Sequence, residues 1–99
     1  MDSIISAIST REANKLAKEY NINTDVIRPK IWKYALNVEL EHGYMLGDLT
    51  NVTNDDLHLT AQIVIAHLME YPDYYKRLRS MEKKADKYWS QYKKPNIFN

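Results

Sequence analysis

The sequence predicts an all-α fold, a small four-helix bundle-like domain with a long C-terminal helix. Apolar residues recur at intervals of three and four, the spacing of a helix face that packs on a core, and no convincing alternating pattern indicates a strand. Glycine occurs only at Gly43 and Gly47, so few breaks interrupt this pattern. The 99 residues fit a single domain with one modest core. We expect the core to span about residues 9–92 and residues 93–99 to form a flexible tail.

The first two helices are marked by residues that favour helix ends. Ser9 and Glu12 have the spacing of a capping box, so the first helix is expected to begin at Ser9 or Thr10. Pro29 suits the first turn of the second helix because it needs no amide partner. Gly43 is expected to end this helix by adopting a positive φ. The predicted apolar faces consist of Ala13, Leu16, Ala17 and Tyr20 in the first helix, and of Ile31, Ala35, Val38 and His42 in the second.

A polar loop over residues 44–54 separates these helices from two more. The third helix is expected to begin near Asp56, after several residues able to cap it, and to end before Pro72, which breaks a helix. Asp73 can cap a fourth helix that extends to about Tyr92. The predicted apolar faces consist of Leu59, Ile63, His67 and Glu70 in the third helix, and of a heptad-like series, Tyr74, Leu78, Met81, Ala85, Tyr88 and Tyr92, in the fourth.

Charge and cysteine content restrict the class of protein. The net charge is +1, but residues 1–70 carry a balance of −4 and residues 71–99 a balance of +5. The absence of cysteine excludes disulfides and thiolate metal sites and fits a reducing compartment. No apolar run approaches the length of a membrane span, and Met1–Ile8 lacks the basic start of a signal peptide. These features predict an intracellular, cytoplasmic protein or a virion component without membrane contact.

Two of the predicted helices each carry a glutamate and a histidine three residues apart, in mirrored order. Glu39 and His42 lie in the second helix, and His67 and Glu70 lie in the third. Residues three apart share a helix face, so four side chains meet if the two helices pack as antiparallel neighbours. At about 100° per residue, both histidines lie near the centres of their apolar faces, while Glu41 lies at the rim. Glu39, His42, His67 and Glu70, with Glu41 as an additional ligand, form the candidate site.

Three arrangements would offset the cost of burying these polar groups. The four side chains can bind a metal, for which zinc, iron or manganese suit two imidazoles and two carboxylates. Alternatively, each histidine is held by a glutamate in a charge-assisted hydrogen bond without a metal, or the acids reach solvent and the histidines are ordinary semi-buried residues. No Ser-His-Asp spacing, phosphate-binding loop or cysteine nucleophile is present, which favours a protein that is not an enzyme.

The fourth predicted helix interleaves basic residues with tyrosines. This composition can bind the phosphates of a nucleic acid and stack on its bases. The alternative, which we favour, is a solvated helix face whose tyrosines belong to the core. The candidate contacts with a polyanion or another partner are Lys76, Arg77, Arg79, Lys83, Lys84 and Lys87.

Several motifs that occur in order also indicate a family. They are Val38–Gly43, Asn51–Asp56, Ile65–Glu70, Tyr74–Leu78 and the pair Met81-Glu82. Over about residues 9–86 the chain resembles an uncharacterised domain-of-unknown-function family of short proteins in bacteria, phages and large DNA viruses. The resemblance implies a compact helical domain but no function. The motif positions it singles out are Glu39, Glu41, His42, Gly43, Asp56, His67, Glu70, Tyr74 and Tyr75.

These observations support three hypotheses of function. The leading one is a non-enzymatic structural or interaction protein, associated with a virus or phage, that meets a protein partner or self-associates. In it, the Glu/His cluster fixes the packing of two helices. The second is a metal-binding protein that uses the same cluster. The third is a nucleic-acid-binding accessory protein that acts through the basic C-terminal helix.

Overall fold

The described part of the chain folds into four α-helices, which confirms the predicted all-α class. The computed structural model describes residues 7–43 and 47–98, and within these ranges it contains no strand. The expectations for residues 1–6, for positions 44–46 of the predicted loop and for residue 99 lie outside the described residues. The helices are α1 (Thr10–Glu19), α2 (Pro29–Glu39), α3 (Leu57–Glu70) and α4 (Tyr74–Trp89), with short 3₁₀ turns at Leu40–His42 and Asp48–Thr50.

Both ends of α1 are closed by side-chain and backbone hydrogen bonds. The Ser9 hydroxyl accepts the backbone N–H of Glu12 at 3.1 Å, as the capping box predicts, and donates to the Glu12 carboxylate at 3.2 Å. At the other end Asn21 adopts a positive φ of 54°, which asparagine tolerates better than most residues. This conformation lets the N–H of Ile22 reach the carbonyl of Ala17 at 2.9 Å, and α1 therefore ends in a Schellman motif.

The core lies where α1 and α3 pack against α2, and α4 joins it by contacting α2 and α3. Trp32 of α2 is its largest buried side chain, and its indole N–H donates to the carbonyl of Ala13 at 2.8 Å. This hydrogen bond satisfies the one polar atom of the indole and fixes the distance between α1 and α2. The buried apolar residues are Ile8, Ala13, Leu16, Ala17, Ile27, Trp32, Ala35, Leu36, Leu40, Ala61, Val64, Leu68 and Tyr75.

The buried face of α2 differs from the predicted one, and the inward position expected for His42 is wrong. Trp32, Leu36 and Glu39 are buried along with Ala35, whereas the side chain of His42 is exposed. The 3₁₀ turn that follows Glu39 contains both the buried Leu40 and the exposed His42. On a wheel of about 100° per residue the buried face is centred near Trp32, and His42 lies about 80° from that residue.

The buried face of α3 is also displaced by about one residue. Thr60, Ala61, Val64 and Leu68 are buried, whereas the predicted face began at Leu59, which is exposed. The apolar residues of α3 itself are distributed around most of its circumference, so their spacing does not single out one buried face. Contacts with α2 and α4 decide which residues of α3 enter the core.

Only the first turns of α4 pack on the bundle. Tyr75 is buried, Tyr74 and Leu78 pack beside it, and nearly all later residues are exposed. The helix ends at Trp89, earlier than the predicted Tyr92, where the Ser90 hydroxyl donates to the carbonyl of Lys87. The radius of gyration is 15.0 Å, whereas a compact chain of this length has about 13 Å. In the described ranges, no helix has the length and apolar character needed to cross a membrane.

The segment between α2 and α3 folds back on the end of α2. The carbonyl of His42 accepts the backbone N–H groups of Val52 at 2.6 Å and Thr53 at 3.2 Å. Asn54 and Asp55 then adopt positive φ values of 52° and 59°, and the N–H of Asp56 bonds to the carbonyl of Thr53. This is the geometry of a type I′ turn, in which Asn and Asp are favoured.

Asp56 and Gly43 lie at helix ends as predicted, but the reason for a glycine at position 43 differs from the predicted one. Asp56 caps α3 by accepting the N–H groups of His58 at 2.9 Å and Leu59 at 3.0 Å. Gly43 follows the end of α2, but its φ is −96°, so the expected positive φ is wrong. Its missing side chain matters instead, because a Cβ would collide with the Asp55 carboxylate and lie 3.0 Å from the Asp55 backbone nitrogen.

We therefore expect Gly43→Ala to destabilise the protein by about 1–3 kcal/mol, because the turn must shift to admit the methyl group. The free energy of unfolding in urea measures this loss. Leu49→Ala is the control, since Leu49 lies between the same helices with an exposed side chain and should change stability by less than about 0.5 kcal/mol. Equal effects of the two substitutions would contradict the packing role of Gly43.

Candidate functional site

A buried carboxylate lies at the centre of the candidate site. Glu39, in the last turn of α2, is only 4% exposed. Its Oε2 accepts a hydrogen bond from the Tyr75 hydroxyl at 2.8 Å and lies 3.8 Å from Nε2 of His67. Glu39 thus links α2 to α3 and α4, and the phenol supplies the hydrogen bond that a buried carboxylate requires.

His67 occupies the space between two carboxylates and two aromatic rings. Its Nδ1 lies 3.7 Å from Oε1 of Glu70, one turn further along α3. Its ring stacks on Tyr74 with a centroid distance of 4.3 Å and an interplanar angle of 4°, and it meets Tyr75 edge-on. The two carboxylates lie at ion-pair distances, which are longer than the charge-assisted hydrogen bonds of the second predicted arrangement. We refer to Glu39, His67, Glu70 and Tyr75 as the polar cluster.

Tyr75 is the member of the cluster that the predicted Glu/His site did not include. It is 1% exposed, and burial together with the hydrogen bond to Glu39 raises its pKa well above the ordinary value of 10. The phenol therefore keeps its proton and remains a donor to Glu39 at neutral pH. The heptad-like spacing places Tyr74, and not Tyr75, on the predicted apolar face. The family motif is the sequence pattern that includes Tyr75, as part of its Tyr74-Tyr75 pair.

The structure brings together three of the four predicted cluster residues and leaves one aside. His67 lies within ion-pair distance of both Glu39 and Glu70. In contrast, His42 is exposed and Glu41 is half-buried. Across residues 7–43 and 47–98, no group of three or more His, Asp or Glu side chains is placed to hold a metal ion. Binding of zinc, iron or manganese stays a hypothesis, which metal analysis of untagged protein tests.

The six predicted contact residues of α4 lie at the surface. All of these basic side chains are exposed, and Arg77 pairs with Asp73 one turn earlier at 2.9 Å. Arg79 lies over the ring of Tyr34 in α2 at 5.7 Å from its centroid. The tyrosines of this part of the chain differ in burial. Tyr75 belongs to the core, but Tyr88 and Tyr92 are 54% and 56% exposed. The expectation that these tyrosines belong to the core is therefore wrong for the second half of the fourth helix.

A cavity at the end of α1 lies away from the polar cluster. It has a volume of about 410 Å³ and is bordered by Ala17 and Asn21 of the α1 end, by Ile27 and Pro29, and by Trp32. None of the four cluster residues borders it. The polar cluster connects α2, α3 and α4 through contacts among its members and with Tyr74.

We expect Tyr75→Phe to destabilise the protein by about 1–3 kcal/mol, because the buried Glu39 carboxylate then loses its hydrogen-bond donor. Urea unfolding at neutral pH measures this difference. Tyr71→Phe removes a hydroxyl from an exposed tyrosine near the start of α4 and should be close to neutral. If both substitutions were neutral, the Glu39–Tyr75 bond would not stabilise the fold.

The raised pKa of Tyr75 also predicts a dependence of stability on pH. The unfolded chain loses this phenol proton near pH 10, whereas the folded protein keeps it to higher pH. The stabilisation is therefore complete below about pH 10 and declines as the pH rises further. In unfolding measurements from about pH 8 to about pH 11, the stability difference between wild type and Tyr75→Phe should shrink at the alkaline end. A constant difference would contradict the shift.

Comparison with known proteins assigns the chain to a family. Residues 13–84 match the model of a family described as protein of unknown function, DUF5661. Neither the curated proteins nor the solved structures provide a match to the chain. The family match spans all of α2 and α3, with most of α1 and α4, and so includes the whole polar cluster. The chain therefore belongs to the DUF5661 family of proteins of unknown function.

Proposed function

We propose that this protein is a non-catalytic interaction module that binds through the second half of α4. We call residues 79–89 the arm and residues 74–78 the root of α4. The observation that carries the proposal is the exposure of apolar side chains along the arm. Met81 is 58% exposed and Tyr88 is 54% exposed, and Tyr92 follows just beyond the helix with similar exposure. Single exposed apolar residues are common, but a row on one helix face is typical of a binding surface.

The polar cluster supports this proposal because it fixes the root from which the arm extends. Tyr75 bonds to Glu39 of α2, and Tyr74 stacks on His67 of α3, so two adjacent residues attach the root to two helices. Leu78 packs on the core one turn later. A helix held in this way has a defined direction before it meets a partner, which lowers the entropy lost on binding.

A polyanion is a second candidate partner, favoured by the exposure of the basic side chains. Lys76, Arg79, Lys83 and Lys87 fall within an arc of about 80° on one side of α4. Such a row can contact successive phosphates of a nucleic acid. Weak binding to heparin or an oligonucleotide, lost as salt is raised, would support this function. The viral or phage origin and the cytoplasmic or virion location remain predictions of the sequence.

If the arm serves binding, its apolar residues should contribute little to folding. We expect Met81→Gln and Tyr88→Gln each to change the free energy of unfolding by less than about 0.5 kcal/mol, since glutamine is also a good helix former. Urea unfolding at the lowest practical protein concentration measures this change without a contribution from association.

Leu78→Gln is the matched control for these variants. Leu78 belongs to the same heptad-like series but packs on the core, so its substitution should cost about 1–3 kcal/mol. Losses of that size in Met81→Gln or Tyr88→Gln would show that the arm packs on the bundle, which would contradict the proposed function.

A further inference from the structure

We propose that copies of this chain associate head to tail. Residues 48–52, which we call the tip, dock into an apolar groove on the next copy. The tip belongs to the segment between α2 and α3, and the groove lies where the segment between α1 and α2 meets the end of α3. The contact does not involve the arm of α4, so it is independent of the proposed function.

The tip presents two apolar side chains that the fold leaves in water. Leu49 is 81% exposed and Val52 is 72% exposed. Leu49 lies in a 3₁₀ turn, and the N–H of Val52 bonds to the carbonyl of His42. The Asn51 side chain donates to that of Asn54 at 2.9 Å and accepts its backbone N–H at 2.8 Å. Because these bonds fix the tip before it meets a partner, little entropy is lost on binding.

The groove consists of two adjoining cavities with largely apolar walls. The larger has a volume of about 260 Å³ and the smaller has about 130 Å³. Both are bordered by Val26, Ile27 and Pro72, and Met69, which is 80% exposed, also borders the larger one. An apolar recess beside exposed apolar side chains is typical of a contact surface. The two aliphatic side chains of the tip therefore have two adjoining apolar cavities to fill.

Basic side chains surround the groove. Arg28 and Lys76 border its smaller cavity. Lys18 borders a further cavity, which shares Ile22 and Ile27 with the larger one. Within residues 7–43 and 47–98, none of these three cations forms an ion pair. Their charges are thus available to a partner.

The acids near the groove compensate little of this positive charge. Asp73 pairs with Arg77 at 2.9 Å, and the Glu70 carboxylate lies 3.7 Å from Nδ1 of His67. Asp25 lies in the segment before α2 but borders none of the three cavities. The groove therefore combines apolar walls with a positive rim.

The tip lies in a part of the chain with the opposite charge. Asp48 begins the tip, and no lysine or arginine occurs between Tyr34 and Tyr75. Apolar side chains beside a carboxylate complement an apolar groove with a basic rim. The arm of α4 does not offer this combination on one face, because its basic row is centred roughly 160° from Met81 and Tyr88. The groove is therefore the better receptor for the tip.

The tip and the groove of one copy lie too far apart to meet. The groove is bordered by Ile27 and Arg28, just before α2 begins, whereas the tip is bonded to His42, just after α2 ends. The 11 residues of α2 span about 16 Å. Each copy therefore carries one tip and one groove at opposite ends of α2. A contact between unlike surfaces of this kind produces open chains or a closed ring.

Sedimentation equilibrium of the full chain, over concentrations up to about 1 mM, tests the association. The average mass should rise above that of the monomer as concentration increases. Leu49→Lys brings a cation to the basic rim, and Met69→Glu brings a carboxylate towards Asp48. Each should weaken association by about tenfold or more. Gln91→Lys and Gln91→Glu are the matched controls, because they add the same charges at an exposed position beyond α4 and should associate as wild type does.

A mixture of the two variants distinguishes a head-to-tail contact from a contact between identical surfaces. Leu49→Lys keeps an intact groove and Met69→Glu keeps an intact tip, so together they should form a dimer with one copy of each. Both positions are exposed, so the urea midpoints of the variants should equal that of wild type. If either midpoint falls, Val52→Lys and Val26→Glu repeat the test at other exposed positions of the tip and the groove.

The outcomes decide between this contact and the alternatives. A wild-type chain that stays monomeric at every concentration would overturn the association and leave the proposed function of the arm untouched. Association of Leu49→Lys or Met69→Glu equal to that of the controls would overturn the docking of the tip in the groove, and a mixture that stays monomeric would overturn the head-to-tail arrangement. Association lost in Met81→Gln but kept in Leu49→Lys would assign the contact to the arm. A dimer recovered only in the mixture supports the proposal.

Discussion

The hydrogen bond between the Tyr75 hydroxyl and the buried Glu39 carboxylate is the contact on which the rest of the arrangement depends. A carboxylate at 4% exposure is costly without a donor, and the phenol supplies one at 2.8 Å. His67 lies against the same carboxylate and stacks on Tyr74, so α2, α3 and α4 meet around one polar group. Apolar packing alone permits small rotations of each helix, whereas a buried polar contact requires one alignment.

This alignment determines where α4 goes after its root. Tyr75 enters the core, and the following turns extend beyond the bundle because α2 and α3 offer contacts only near the start of α4. The result is a helix with a fixed base and a solvated end that carries both apolar and basic residues. The polar cluster thus attaches the root of α4 to α2 and α3.

Two faces of the arm offer two kinds of contact. The exposed Met81 and Tyr88 suit an apolar contact with a partner, and the basic row, on the opposite side, suits a polyanion or water. The family match includes the root and residues 79–84 of the arm, and it ends before Tyr88.

The sequence by itself determined the all-α class, the four helices and the capping residues Ser9 and Asp56. These features depend on local spacing and on end signals that act within a few residues. Only the tertiary structure decided which faces are buried, because α3 has apolar residues around most of its circumference and the helices packed on α2 cover the face around Trp32 and leave His42 exposed. Likewise, Tyr75 is buried and Tyr88 is exposed because the other helices pack against the root of α4. The spacing of residues within α4 does not predict how far along it the other helices extend.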